Sequence, residues 1–477
     1  MSTPPDRPSE RPSEHSPAAP AHPPGTEDVL ASTDVRPGGE VGEVDNGDNG
    51  GNDGGDTDAS TDADAAEQPP AERPSRRSPW NRPRDRVLAV ALAVVCIAAG
   101  VVVWLNSDSR ATEQHTTSVP PPRLATPEAV PGSLAERWRS PSEATPEPVA
   151  EGGFVVTGSD GTVAGRDPLT GEVRWSYSRD LALCTVAGAW SKAVAVYRKS
   201  LGCSEVTQLD PRTGHRTAQR NGDAEAPTRL VVDDAHVTTT GERLLNTWRS
   251  DLVRTMEYGR VPAPENPERQ PRTGCRYSNV AAGADNVGVI EHCPEETGAR
   301  LTVLKAAGEE ADEPEQVFSA LLPEMSAQLV AMSEERVAVA LPKRRRLLVF
   351  DYEGRQQDVH DLAVPTDELA AVPESGVVPT STGRENVYWF TGSRTVALSA
   401  DELRPRWTAE NTLGPGTVFA GEYVVPIPGG LAVLDERTGA TTRTVAVDRR
   451  GHDGPVELEA TGPVLLEQRG RTLVALR

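Results

Sequence analysis

Lysine is nearly missing from this chain, occurring only at positions 192, 199, 305 and 343, and aromatic residues amount to 4% of the total. Arginine carries most of the positive charge, a bias that fits a GC-rich genome such as those of actinobacteria. Lys and Arg together number 49 against 71 Asp and Glu, a net charge of −22. An acidic surface of this kind excludes general nucleic-acid binding, which needs clustered cations to displace counterions. No credible Ser-His-Asp order, HExxH, P-loop or nucleotide-binding glycine pattern occurs, so the common hydrolase and nucleotide chemistries have no carrier. There is no CxxC pair. His215, His236, His292 and His360 stand far apart in sequence and read as surface or packing residues, so neither a metal nor a cofactor is expected.

Large apolar residues are also scarce before position 79, where Pro, Gly, Ser, Thr, Asp and Glu dominate. Such a segment cannot bury enough surface to offset roughly 1–2 kcal/mol of backbone entropy per ordered residue. It reads as an acidic disordered tail. Asp45, Asn49, Gly50 and Asp56 fall near EF-hand ligand spacing, but Gly47 replaces a ligand and no helical pattern flanks the run, so calcium is not expected. Thr33, Thr57 and Thr61 are accessible positions for phosphorylation, which here would need no refolding.

One long apolar run is present. Val87 to Leu105 reads VLAVALAVVCIAAGVVVWL, nineteen residues without a charge. At 1.5 Å per residue it spans a hydrocarbon core of about 30 Å. Arg73, Arg76, Arg77, Arg82, Arg84 and Arg86 precede it, and only Arg110 follows within ten residues. The positive-inside rule therefore places the N-terminus in the cytoplasm and the remainder outside the plasma membrane. Trp80 and Trp104 sit at interfacial positions. The run begins too late and is too long for a cleaved leader, and Cys96 within it reads as a small apolar side chain. The expected organisation is a tail over 1–86 with a basic juxtamembrane segment, a transmembrane helix over 87–105, a semi-extended linker over 106–133, and an extracytoplasmic domain over 134–477.

That last domain alternates short β-branched runs with Gly, Asp and Pro turns and reads as all-β. A pattern of strand, turn, strand and Asp-x-x-Thr-Gly recurs. Gly158-Ser159-Asp160-Gly161-Thr162-Val163 leads to Asp167-Pro168-Leu169-Thr170-Gly171 and closes at Trp175. Further copies end in Asp210-Pro211-Arg212-Thr213-Gly214 and in Asp435-Glu436-Arg437-Thr438-Gly439, with weaker ones around Trp248–Met256, Leu301–Glu309, Leu347–Gly354 and Thr395–Trp407. Successive turns lie roughly 35–55 residues apart, the size of a four-stranded propeller blade. In each turn the Asp carboxylate can accept backbone amides and Gly takes a positive φ. Trp175 and Trp407 are expected to pack between sheets, with the indole N–H finding a partner. Seven units are visible. The C-terminal strands, around Val464–Leu466 and Thr472–Arg477, lack a closing Trp strand, which Leu134-Ala135-Glu136-Arg137-Trp138-Arg139 can supply. The expected fold is a β-propeller of about eight four-stranded blades, closed by strands from both ends, with seven as the alternative.

The GSDGTV…DxxTG…W pattern resembles the repeat of quinoprotein-type (PQQ-like) propellers, the fold of pyrroloquinoline-quinone alcohol dehydrogenases and of outer-membrane assembly propellers. With Trp248-Arg249-Ser250-Asp251-Leu252-Val253-Arg254, the whole plan is also similar to membrane-anchored propellers of mycobacteria and their relatives. A quinone-dependent dehydrogenase is expected to carry adjacent cysteines, calcium ligands and a catalytic Asp, and those motifs do not map onto this chain. The reading is therefore a noncatalytic binding or scaffold module of the cell envelope. The alternatives are a receptor signalling through its cytoplasmic tail and a quinone-dependent enzyme.

Four cysteines fall in two similarly spaced pairs, Cys184 with Cys203 and Cys275 with Cys293, each expected to form a disulfide within one blade. Closing loops of about 20 residues contributes roughly 3 kcal/mol apiece in the chain-entropy model and requires an oxidising compartment. Lys343-Arg344-Arg345-Arg346 is the one strong basic cluster of the domain and lies in a hairpin turn, where it is a possible contact for an anionic partner. The segment Glu257 to Arg272 is long for a blade connection and is expected to cover one mouth of the ring. The partners expected are the plasma membrane and an envelope protein or polymer. Oligomeric state is left open.

Overall fold

The computed structural model describes residues 83–477, apart from 106, 108, 109, 201, 265, 372, 374 and 375. The expectations for the acidic tail, including Thr33, Thr57, Thr61 and Trp80, lie outside the described residues.

A helix runs over Pro83–Leu105, and none of its residues is buried. It begins four residues before the uncharged stretch because Pro83 suits a first helical turn, where its missing N–H has no helical partner to lose. Its hydropathy of 2.9 and length of 23 residues suffice to cross a membrane.

Among the described residues the strands form eight antiparallel sheets, each a four-strand meander, arranged as eight blades. Blade 1 runs Val149–Glu151, Phe154–Ser159, Thr162–Arg166 and Val173–Arg179 from the axis outward. Blade 8 holds Val456–Thr461, Val464–Arg469 and Thr472–Leu476, and its outer strand is Glu136–Pro141 from the other end of the domain. Glu136 lies opposite Leu476, and Pro141 opposite Thr472. This pairing settles the blade number at eight, and it removes the free sheet edge an open ring would expose.

The core is distributed rather than central. Eight clusters of buried side chains appear, one at each seam between neighbouring blades. Phe154, Trp175, Tyr177, Tyr197 and Leu209 fill the seam of blades 1 and 2, and Trp138, Val155, Leu466 and Leu473 fill that of blades 8 and 1. Second strands carry much of this burial on both faces, which explains unbroken aliphatic runs such as Val337–Leu341 in blade 5.

The strong repeats serve as seam fasteners. The Trp175 indole N–H donates to the Pro211 carbonyl at 2.7 Å, in the Asp210–Gly214 turn of blade 2. Trp138 of blade 8 does the same to Pro168 of blade 1 at 2.8 Å, and Trp407 of blade 6 to Glu436 of blade 7 at 3.0 Å. The turns are shaped to receive the ring. Asp167 Oδ1 accepts the N–H groups of Leu169 and Thr170. A Cβ on Gly214, whose φ is +76°, would lie 2.7 Å from Trp175. The four weaker repeats also fall on third-to-outer strand transitions, but their turns have diverged.

Within the expected linker 106–133, residues 110–133 do not form a free stalk. Thr112–His115 adds a fifth strand to blade 1, with Thr112 opposite Arg179. The Thr117 N–H donates to the Thr213 carbonyl. The Val130 N–H donates to Glu422, and Val130 itself is buried. These contacts lay the segment along the ring rather than away from it.

Candidate functional site

Because each blade is an antiparallel meander, its turns divide between two faces. Inner-to-second and third-to-outer turns emerge on one face, here called the turn face. Second-to-third turns and blade-to-blade connections emerge on the other, the connection face. The eight inner strands surround an axial channel of about 520 Å³. Its wall is largely aliphatic, with Val186, Val231, Val280, Leu329 and Val378, but four carboxylates and one guanidinium interrupt it.

Glu147 precedes the inner strand of blade 1, Glu457 and Glu459 lie on that of blade 8, and Arg229 precedes that of blade 3. The crowding of protein around the channel disfavours ionisation. Desolvation pushes the Glu457 carboxyl up to about 8, with the charge of Glu147 adding to the effect and Arg229 offsetting part of it. Glu459 is raised to about 7, by burial first and by Glu147 and Glu151 after that. Burial also raises Glu147, against the pull of Arg229, and raises Glu151. The channel therefore gains negative charge as pH rises through neutrality.

At the turn face the channel widens into a depression of about 580 Å³ lined by Glu151, Trp190, Asp233, Asp234, Glu334 and Asp401. Inner-to-second turns supply Trp190, Asp233, Asp234 and Glu334, and a third-to-outer turn supplies Asp401. This rim is acidic without an arginine among those lining residues.

The basic cluster sits elsewhere. Lys343 and Arg344 belong to a short 3-10 turn, Pro342–Arg344, and Arg345 takes a left-handed conformation with φ 50° before Arg346 begins the third strand of blade 5. All four side chains are exposed. Arg344 Nε lies 3.6 Å from Glu324 Oε1, and Arg346 Nε 3.3 Å from Asp361 Oδ1. The Lys343 backbone N–H donates to Glu324 Oε2 at 2.9 Å, but the Lys343 and Arg345 side chains have no ion-pair partner among the described residues. The turn belongs to the connection face and contributes nothing to the channel lining.

Both cysteine pairs are bonded, Cys184 to Cys203 and Cys275 to Cys293. The first joins the inner strand of blade 2 to its third strand, and the second flanks the two inner strands of blade 4. Trp248 of blade 3 packs with Cys184 and Cys203 in one cluster, so that disulfide also supports a seam.

The long connection Glu257 to Arg272 does not line the channel. Gln270 holds it to blade 3 and to the third-to-outer connection of blade 4, accepting the Gly259 N–H and donating to the Glu257 and Asp312 carbonyls. Arg272 then reaches Glu291 at 3.1 Å and the Tyr258 hydroxyl at 2.9 Å. Gln270 and Arg272 thus make a polar joint between blades 3 and 4.

A family model described as outer membrane protein assembly factor BamB matches residues 83–244. The matched stretch takes in the two strongest repeats. Over that stretch the chain is similar to the BamB family model, and the ring as a whole is an eight-bladed β-propeller. Solved structures similar to it include BamB from Moraxella catarrhalis, at 14% identity and TM-score 0.46, covering 72% of this chain and 99% of that one. Sqt1 from Saccharomyces cerevisiae is similar at 11% identity and TM-score 0.46, covering 73% and 99%. The dihydro-heme d1 dehydrogenase NirN is similar at 15% identity and TM-score 0.45, covering 75% and 73%. No curated protein matches the chain.

Proposed function

We propose that this protein is a noncatalytic binding or scaffold module of the cell envelope, held at the outer face of the plasma membrane by one helix. The observation that carries the reading is the helix Pro83–Leu105, uncharged from Val87 to its end and with no residue buried against the chain. Exposing twelve large apolar side chains between Val87 and Leu105 to water would be strongly unfavourable at about 25 cal/mol per Å², and a bilayer relieves it. Two disulfides support an oxidising compartment for the ring, and the arginines before the helix favour a cytoplasmic N-terminus.

A rigid ring with eight independent seams suits display of binding loops. The exposed Lys343–Arg346 turn is the proposed contact for an anionic envelope protein or polymer, with Lys343 and Arg345 the cations available to it.

Topology is tested in cells making the full chain. External protease should digest the ring only under reducing or denaturing conditions, while an N-terminal tag stays protected. A C-terminal reporter that is active only in the cytoplasm should be silent. An active cytoplasmic reporter would overturn the anchored, extracytoplasmic reading.

A further inference from the structure

His236 looks unremarkable in the sequence, one of several isolated histidines. In the fold it begins the second strand of blade 3, directly after the inner-to-second turn that carries Asp233. The same turn of blade 4 brings in Asp285. The ring nitrogen of His236 and one carboxylate oxygen from each aspartate lie within 4.8 Å of one another. His236 Nδ1 stands 3.4 Å from Asp285 Oδ1, yet it is a buried atom with no hydrogen-bond partner.

That combination is unusual for a simple ion pair, in which the imidazolium N–H would point at the carboxylate. It matches a ligand pair. Donors about 2.0–2.1 Å from a tetrahedral ion are separated by about 3.4 Å along each edge. The Asp233 carboxylate is already oriented. Asp233 accepts the Asp234 N–H at 2.6 Å through Oδ1 and the Asp285 N–H at 2.9 Å through Oδ2, leaving further lone pairs on both oxygens. The Asp233 N–H donates to the His236 carbonyl and closes the turn.

We propose that Asp233, His236 and Asp285 bind a divalent first-row transition ion, with Zn²⁺ as the representative, clamping the inner turns of blades 3 and 4 at the acidic rim. One imidazole and two carboxylates favour such an ion over Ca²⁺, which prefers oxygen ligands in greater number. Three protein donors leave a position for water. The seam it fastens has no Trp docked into an Asp-x-x-Thr-Gly turn, and the blade 4 turn that would receive one is replaced by the long connection holding Asp312.

The test uses the full chain in detergent, without a histidine tag and with Cys96→Ser throughout so that no free thiol competes. After EDTA stripping and dialysis, ZnCl₂ is titrated calorimetrically and thermal unfolding is followed in parallel. The parent should take up one equivalent with micromolar or better affinity and unfold at a higher temperature. Asp285→Asn, whose side chain is largely exposed and whose folding is therefore safe, should weaken binding at least tenfold, as should His236→Gln. Asp234→Asn, adjacent but outside the donor set, should change affinity less than threefold. Equal zinc binding by parent and Asp285→Asn, an equal loss in Asp234→Asn, or Ca²⁺ bound as tightly as Zn²⁺ would each overturn the proposal.

Discussion

The indole N–H of Trp138 donates to the carbonyl of Pro168 across 2.8 Å, joining the last blade to the first through residues 30 positions apart. Trp175 repeats the contact with Pro211 at the next seam. Trp175 is almost wholly buried, whereas Trp407 in the corresponding contact of blade 6 is only partly so. Trp175→Ala is expected to cost about 3–5 kcal/mol and Trp407→Ala clearly less, as read from urea unfolding midpoints. Equal costs would mean that the hydrogen bond, rather than ring burial, dominates these docks.

The disulfides should act independently, because they close separate loops in blades 2 and 4 with sequence separations of 19 and 18. Paired Cys→Ser substitution in either blade should lower stability by about 3 kcal/mol in the chain-entropy model. The blade 2 pair should cost more, since Trp248 packs against it. Unfolding of the two double variants and the quadruple variant, compared for additivity, checks this.

Stability should fall as pH rises through neutrality. In the unfolded chain Glu457 and Glu459 lose their protons near 4.5, while in the ring they hold them to about 8 and about 7. Between those limits the folded state binds more protons than the unfolded state, so rising pH favours unfolding. Below about pH 4 both states are protonated and the effect vanishes. Carboxylates held low, such as Asp251 at about 2 beside Arg249, titrate outside this window. A Glu457→Gln, Glu459→Gln chain should show a flatter melting temperature between pH 5.5 and 8.5 than the parent.

Lys343→Ser with Arg345→Ser should reduce retention of the full chain on anionic vesicles or polyanionic resin. Arg346→Ser alone should matter less, because Arg346 already faces Asp361. The difference should shrink at high salt. Retention unchanged by the double substitution would remove this turn from the proposed contact.

Repeats that kept both members of a dock were legible from sequence: an Asp-x-x-Thr-Gly turn and a Trp announce two strands and the seam between them. The closing strand was legible for the same reason, since Trp138 carries the missing half. Residues 110–133 were misread because their composition matches a linker, and what fixes them is backbone pairing to blade 1, more than 60 residues on, and the carboxylate of Glu422, 292 residues from Val130. The channel carboxylates were invisible on similar grounds. Glu147 and Glu457 become neighbours only when the ring closes, and nothing local distinguishes either from a surface glutamate. Asp233, His236 and Asp285 share that property, since two blades must stack before the three donors converge.

Closure by the strand Glu136–Pro141 also sets an order of events during synthesis. Apart from the added strand Thr112–His115, that strand leaves the ribosome first among the blade strands, and the other strands of its blade, Val456–Thr461, Val464–Arg469 and Thr472–Leu476, leave last. At roughly 5–20 residues per second, the first blade strand waits about 15–70 s for its neighbours. Throughout that interval the nascent chain trails an unpaired edge, with Trp138 still seeking its dock. A ribosome stalled anywhere before residue 456 would leave that edge open indefinitely, so quality control has one chemical signature to detect, an unmated first strand, whatever the position of the fault.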